Sequence, residues 1–145
     1  MQLSKRTQYG IRALVCLCES YPRGFLQTRE LARREGLPTK FLESILSSLT
    51  REKILISKIG ATGGYRLARK PEDISVSDVI SRLEGKKLLL EMESVSTDAR
   101  AGEIAVNVLH QQLSQALCAS LNSINLATLV DQVTQRSRGG QMYYI

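Results

Sequence analysis

The sequence predicts a mainly α-helical fold, a winged helix-turn-helix domain with a two-stranded β wing, followed by a long C-terminal dimerisation helix. Three observations predict it. Short amphipathic helix patterns flank Gly36, a glycine-rich turn then separates two short apolar runs, and a long apolar seam lies late in the chain.

The first three helices are marked by apolar residues at helical spacing and by residues that favour helix ends. The first is expected from Ser4 to about Ser20, with a buried stripe of Ile11, Leu14, Val15 and Cys18. Thr28 is expected to cap the second helix, and Gly36 forms the sharp corner after it. Pro38 suits the first turn of the third helix, which runs to about Glu52 and buries Leu42, Ile45, Leu46 and Leu49.

The other face of the third helix is polar and consists of Lys40, Glu43, Ser44, Ser47 and Arg51. In a helix-turn-helix, the apolar face of this helix docks on the preceding helices and its polar face enters the major groove. An ordinary solvated face is the alternative for a lone helix. The glycine corner before it and the basic hairpin after it favour groove contact.

The wing is predicted from the apolar runs 54–56 and 65–67, which flank a turn carrying Gly60, Gly63 and Gly64. Glycines permit positive φ, so the chain can reverse tightly there. Basic residues decorate this hairpin, as contact with a DNA backbone requires: Lys53, Lys58, Arg66, Arg69 and Lys70.

Charge divides the chain into two unlike halves. Residues 1–70 carry a net +9 and residues 71–145 a net −3, within an overall +6. This division favours a nucleic-acid-facing front half and a separate assembly or sensing half. The longest apolar run, 13–18, is too short to span a bilayer. With no secretory signal pattern, a cytoplasmic protein without a membrane partner is expected.

Beyond the wing, Ser75 and Asp78 are expected to start a fourth helix that ends at Gly85. An irregular stretch precedes a long helix at about 103–121, and Asn125 can cap a last helix before a tail at 136–145. The long helix carries apolar residues spaced by about three and four, which predicts a seam buried against a partner chain. The seam consists of Val106, Leu109, Leu113, Ala116 and Leu117.

Catalytic and metal chemistry have little support. Cys16, Cys18 and Cys118 show no metal-ligand spacing, and His110 is the only histidine. No serine or cysteine has a plausible base partner, so an enzyme is not expected. Structural roles are favoured for the cysteines and for His110, while a sensing role for Cys118 or His110 stays open.

Four segments together resemble one family of regulators. YGIRAL, LPTKFLESILSSLTREKIL, GGYRLARKPEDISVSDVISRLEG and SINLATLV resemble the winged-helix transcription regulators that include IscR, NsrR and CymR. The resemblance implies a homodimeric transcription regulator on a dyad operator in double-stranded DNA. Repression is the favoured mode of action, and activation stays open. The resemblance also implies a winged-helix domain at 1–85, a loop at the family's sensor position at 86–102 and dimerisation helices at 103–135.

The resemblance adds the N-terminal residues and the whole wing turn to the DNA contacts. The complete expected set is Gln2, Ser4, Lys5, Thr28, Thr39, Lys40, Glu43, Ser44, Ser47, Arg51, Lys58, Gly63, Gly64, Tyr65 and Arg66. Some relatives place an arginine where Ile59 stands, so the wing is expected to contact the DNA backbone rather than read the minor groove.

The chain departs from the iron–sulfur members of that family. They carry three cysteines in the loop before the long helix, whereas 92–102 has none here, and Asn107 replaces a ligating histidine. Clusters need thiolate ligands, so neither an iron–sulfur cluster nor another cofactor is expected. The effector would then be a protein or a small molecule.

A winged-helix scaffold can also serve as a protein-interaction adaptor that does not read DNA. The +9 of residues 1–70 argues against this alternative, because an adaptor has no need for so many cations.

Overall fold

The computed structural model describes residues 2–85 and 96–142, with side chains described to residue 139. Six helices and one hairpin follow one another in these parts of the chain. They are α1 Lys5–Ser20, α2 Thr28–Glu35, α3 Thr39–Arg51, β1 Leu55–Lys58, β2 Gly64–Leu67, α4 Val76–Glu84, α5 Ala101–Asn122 and α6 Leu126–Met142, with a short 3₁₀ helix at Pro71–Asp73.

Helix ends confirm most of the predicted boundaries. Ser4 caps α1, and its hydroxyl accepts a hydrogen bond from the Thr7 N–H at 3.2 Å. Gly36 ends α2 in the left-handed conformation, with φ 63°. The cap of α2, however, is Gln27, and Thr28 is the first helical residue. Pro38 is likewise the N-cap of α3 rather than part of its first turn.

The buried face of α1 differs from the predicted stripe. Leu14 is buried as expected, but Ile11, Val15 and Cys18 are only partly buried. The true centre includes Gly10, because a Cβ there would lie 2.5 Å from Leu83 Cδ1 of α4. Apolar periodicity overlooks a glycine that is buried by close helix contact. The buried residues of α1 are Thr7, Gly10, Ala13, Leu14, Cys16 and Leu17.

The strands of the wing pair antiparallel, with Leu55 opposite Leu67 and Lys58 opposite Gly64. Leu55 and Leu67 are both buried, so they fix this hairpin to the helical core. Leu26 adds a third backbone segment, because its N–H and C=O exchange hydrogen bonds with Tyr65 at 2.9 and 2.8 Å. The strand bounds lie within two residues of the predicted apolar runs.

Helix α6 packs partly into the winged-helix core, from beyond the predicted division at residue 85. Leu126 is fully buried among core residues contributed by α1, α3 and α4. Its N–H donates to the C=O of Ile74 at 3.0 Å, and the N–H of Val76 donates to the C=O of Ile124 at 2.9 Å. Asn125 caps the helix as predicted, with Oδ1 accepting from the Thr128 N–H at 2.8 Å.

The remaining predicted segments are settled in part. Helix α6 continues to Met142, so most of the predicted tail at 136–145 is helical. Of the irregular stretch 86–102, residues 86–95 lie outside the described residues, and α5 has begun by Ala101. Within the described parts of the chain, every helix is too short or too polar to cross a bilayer.

Candidate nucleic-acid interface

Helix α3 presents the polar face that the sequence predicts. Its four apolar residues, Leu42, Ile45, Leu46 and Leu49, are completely buried. The opposite face is exposed and carries Thr39, Lys40, Glu43, Ser44, Ser47 and Arg51. No side chain caps the N-terminus of α3, so the first backbone N–H groups of this helix are left without a capping side chain. Side chains near such a terminus are the ones that reach base edges in helix-turn-helix proteins.

The N-terminal end of α1 lies beside this polar face. Arg6 Nη1 lies 3.5 Å from the Ser44 hydroxyl, which it contacts as a donor. Phe41 of α3 meets Tyr9 of α1 edge to face, with ring centroids 5.6 Å apart. These contacts place α1 beside the predicted groove residue Ser44. Arg6 was absent from the predicted set, although it directly follows Lys5, which belongs to that set.

Gln2, Lys5 and Ser4 are exposed at the start of α1. The Gln8 side chain donates to the C=O of Leu3 at 2.7 Å and fixes the chain just before the helix. The backbone N–H of Ser4 donates to Glu84 Oε1 of α4 at 2.7 Å. The N-terminal residues therefore have a defined position next to α3.

The wing is attached to the start of α2 as well as to the core. Gln27 Nε2 donates to the C=O of Ala61 in the wing turn at 3.0 Å. Thr28, which follows, is half-buried and offers little surface to a ligand. Gln27 was missed by sequence reasoning because glutamine is a weak cap residue, and Thr28 matched the preferred type better.

Gly63 and Gly64 shape the wing and have no side chain to contact DNA. A Cβ on Gly63 would lie 2.0 Å from the C=O oxygen of Lys58. Gly64 has φ +129°, and a Cβ there would lie 2.3 Å from the C=O oxygen of Leu26. Both positions exclude larger residues because the backbone segments approach so closely.

Phe25 supports the cations of the wing, a role the sequence did not reveal. Its ring lies 5.8 Å from Lys58 Nζ and 4.8 Å from the guanidinium carbon of Arg66. Arg66 is half-buried and also donates to the C=O of Pro22 at 3.4 Å. Tyr65 is half-buried against the core. Of the two cations on the strands themselves, Lys58 is therefore the exposed one, while Tyr65 and Arg66 have structural contacts.

The tip of the wing is apolar. Ile59 is 98% exposed, directly after Lys58. Gly60 follows with φ 114° and reverses the chain. A branched aliphatic side chain therefore stands where a cation would extend the basic surface.

Ion pairs remove part of the basic front half from this surface. Glu30 accepts hydrogen bonds from Arg33 and Arg34, and these bonds lower the pKa of Glu30 to about 2. Arg12 pairs with Glu35 at 3.1 Å. In contrast, four exposed cations of the predicted set make no ion pair with any residue that the structure describes; they are Lys5, Lys40, Arg51 and Lys58.

The predicted dimer seam is exposed on α5. Val106, Leu109 and Leu113 are 54%, 57% and 60% exposed. Ala116 is exposed too, and Leu117 is half-buried. Helix α5 has no buried residue in its 22 positions. Such a helix leaves apolar surface without a partner among the residues that the structure describes.

Within residues 2–85 and 96–142, no three His, Cys, Asp or Glu side chains lie close enough together to hold a metal ion. Cys16 is buried and Cys18 is half-buried on α1, and burial raises the pKa of both thiols. Raised pKa values keep these sulfurs protonated, which makes them poor ligands and nucleophiles.

Comparison with known proteins places this geometry in one family. The family model Rrf2, described as an iron-dependent transcriptional regulator, matches residues 3–132. Protein rrf2 of Nitratidesulfovibrio vulgaris is 30% identical, over 90% of this chain and 87% of its own length. An HTH-type transcriptional regulator of Synechocystis sp. is 31% identical, over 89% of this chain and 87% of its own length.

Solved structures agree with this placement. IscR of T. potens has a TM-score of 0.76 and 28% identity, covering 92% of this chain and 88% of its own. CymR, the global cysteine regulator of B. subtilis, has a TM-score of 0.77 and 26% identity, covering 91% and 98%. The chain belongs to the Rrf2 family: it is a winged-helix, DNA-binding transcription regulator and not an enzyme, which confirms the predicted family and sets the adaptor alternative aside.

Proposed function

We propose that this Rrf2-family regulator acts as a homodimer that represses transcription by occupying a dyad operator. Each protomer would place the polar face of α3 in the major groove and lay its wing on the flanking backbone. The observation that carries the proposal is that face: six exposed polar or charged positions lie opposite four completely buried leucine and isoleucine residues. A helix seated by one face on the core leaves the other free to enter a groove.

The groove contacts proposed for α3 begin with Lys40 and Thr39 near its N-terminus, followed by Glu43 and Ser44 one turn later. Lysine donates to guanine acceptors, and a carboxylate accepts from cytosine. Lys5, Arg51 and Lys58 would contact phosphates, since each is exposed and unpaired within the described chain. Tyr65, Arg66 and the wing glycines are proposed to hold the hairpin in place.

A second copy of the chain is the proposed partner of α5. Its exposed seam repeats at helical spacing, as a helix pair requires. Two protomers joined through these helices present two α3 helices, whose separation must match about one turn of DNA or a multiple of it. A dimer therefore gains affinity on both half-sites at once.

The proposed signal is not the iron–sulfur cluster of family relatives. The chain has cysteines only at 16, 18 and 118, and none lies in 92–102 before α5. Cluster irons are held by thiolates, so the residues present do not fit that group. We propose instead that a protein or small-molecule effector changes the relative placement of the two α3 helices in a cytoplasmic regulator.

Selection of genomic fragments on the purified protein, followed by titration of the selected duplex, tests the proposal. Binding should weaken with salt, with a logarithmic slope of about −0.9 per phosphate contacted. Lys40→Ala should weaken binding to the selected duplex by about fivefold to 150-fold, as loss of a base contact worth about 1–3 kcal/mol implies. A scrambled duplex is the internal control and should lose much less affinity. Equal losses on both duplexes would show that α3 does not read bases.

A further inference from the structure

The last turn of α4 reaches two separate parts of the DNA-facing surface. We propose that Glu84 and Arg82 are positioning residues for DNA binding: Glu84 holds the N-terminal residues through Ser4, and Arg82 holds the end of α3 through Glu52. This inference rests on the proposed function, and it assigns to α4 a role in binding although α4 supplies none of the proposed contacts.

Glu84 completes the cap of α1 from a different helix. Ser4 Oγ accepts from the Thr7 N–H, while the Ser4 N–H donates to Glu84 Oε1 at 2.7 Å. In a capping box, the second bond comes from a glutamate three positions after the cap. That position in α1 is Thr7, which has no carboxylate, and the Ser4 N–H bonds to the carboxylate of Glu84 in α4 instead. A carboxylate at a helix N-terminus also complements the helix dipole.

Arg82 makes the equivalent connection at the other end of the surface. Its Nη1 donates to Glu52 Oε2 in an ion pair between half-exposed side chains. Glu52 is the C-cap of α3, and β1 begins three residues later at Leu55. The pair therefore ties α4 to the junction between the groove helix and the wing.

Leu83 lies between Arg82 and Glu84 in the sequence and packs α4 against α1 and α3. Leu83 is 7% exposed. It lies over Gly10 of α1, where a Cβ would also come within 3.3 Å of Ile45 of α3. A packed leucine flanked by two polar connections gives α4 a fixed position against both α1 and α3.

Glu84 acts through its partner and not by touching DNA. A carboxylate and a phosphate repel each other, and neither supplies a proton for a hydrogen bond. Holding Ser4 instead fixes the chain from which Gln2 and Lys5 project. Fixing these residues before binding removes part of the entropy that binding would otherwise have to overcome.

Comparing Glu84→Ala with Glu84→Gln separates the effect of the hydrogen bond to the Ser4 N–H from the effect of the negative charge. Glu84→Ala should weaken the selected duplex about threefold to tenfold, the range expected for loss of a helix cap. Glu84→Gln should bind within about twofold of wild type, because an amide oxygen still accepts from the Ser4 N–H. Asp131→Ala, which removes an exposed carboxylate from α6, is the charge-matched control and should match wild type.

A double-mutant cycle with Lys5→Ala tests whether Glu84 acts through the N-terminal residues. The effect of Glu84→Ala should shrink when Lys5 is already absent, and the salt slope should change little on adding the second substitution. Arg82→Ala should behave in the same way towards Glu52→Ala. Fully additive effects in both cycles, or Glu84→Gln as weak as Glu84→Ala, would overturn the inference.

Hydrogen exchange of the amides in the N-terminal peptide tests the positioning role of Glu84 in the absence of DNA. The Ser4 amide should exchange faster in Glu84→Ala than in wild type or Glu84→Gln, while a single cooperative unfolding transition in all three proteins shows that the fold is intact. Unchanged exchange would refute the positioning role even in a protein that binds DNA. Wild type that binds no duplex would instead refute the proposed function, while the exchange measurement would still decide the role of Glu84.

Discussion

The absence of a side chain at Gly64 allows the wing to pack directly against the backbone of Leu26. The Leu26 backbone occupies the space that a side chain would need, and φ is +129°. The sequence predicted a tight turn from the glycines around this position. It could not predict that one of them serves a contact with residue 26, far away along the chain.

Gly64→Ala should destabilise the protein by about 3 kcal/mol, because it adds both a clash and backbone strain at positive φ. Chemical denaturation measures the loss. Gly102→Ala is the matched control, since a Cβ there meets nothing within 4 Å on α5. That control should be neutral or stabilising by up to about 1 kcal/mol. Equal stability of the two variants would contradict the close approach at Gly64.

Arg66 shows that counting basic residues in the sequence overestimates the number of cations exposed on the surface. Its guanidinium lies against Phe25 and donates to the C=O of Pro22, whereas neighbouring Lys58 is exposed. Alternation along a strand indicates which residues share a face, but not which aromatic ring that face covers. The partner of Arg66 comes from the segment before α2, and only the fold brings it there.

The thiol of Cys18 should make the free energy of unfolding depend on pH in the alkaline range. Burial, followed by the charges of Glu19 and Glu72, raises the pKa of this thiol from 9.0 to about 11. Between these values the unfolded chain loses the proton and the folded chain keeps it. The free energy of unfolding should therefore fall as pH rises from 9 to 11, and the contribution is complete below pH 9.

Denaturation of wild type and Cys18→Ala at pH 8, 9, 10 and 11 checks this dependence. The variant should show a shallower decline over the window, with Cys16 accounting for part of the remainder because its pKa is also raised. Identical slopes in the two proteins would contradict a raised pKa at Cys18. The comparison uses slopes because the substitution also changes packing at every pH.

At the scale of elements, the helices differ in how far their own sequence defines them. Helix α3 buries the four residues that its period predicts. Helix α1 does not follow its period, because Gly10 and Ala13 allow close approach and shift the buried face. Hydrophobic spacing finds faces lined by large residues and overlooks faces lined by small ones.

Among the described elements, helix α5 exposes the most apolar surface. Leu113→Glu should convert the proposed dimer to monomer, because a carboxylate placed in an apolar helix seam loses hydration without gaining a partner. Sedimentation equilibrium measures the change, and affinity for the selected duplex should fall with it. Gln112→Glu adds the same charge at an exposed neighbouring position and should leave the dimer intact. A dimer that survives Leu113→Glu would place the interface elsewhere.

At the scale of the whole molecule, α6 joins the C-terminal part of the chain to the winged-helix core. Leu126 is completely buried there, and backbone hydrogen bonds connect it with Ile74. The predicted boundary at residue 85 follows the expected end of the fourth helix at Gly85. The core instead recruits a residue from beyond the long helix.

Leu126→Ala should destabilise the entire winged-helix core by about 2–5 kcal/mol, the cost of a large-to-small change in a packed interior. The wing and α1 should unfold in the same transition. Val133→Ala on the same helix is the control, since Val133 is 45% exposed, and should cost much less. Retention of full stability in Leu126→Ala would show that the core is complete without α6.

The sequence by itself determined the order and type of the elements, the groove helix and the basic wing, because helix period, caps and turn glycines are local signals. The tertiary structure decided which of the basic residues are exposed, which glycines are enclosed and where α6 packs. Those outcomes depend on segments far apart in the chain, such as Phe25 with Arg66 and Glu84 with Ser4. Local sequence patterns do not predict such contacts, because each contact forms only when the whole core packs.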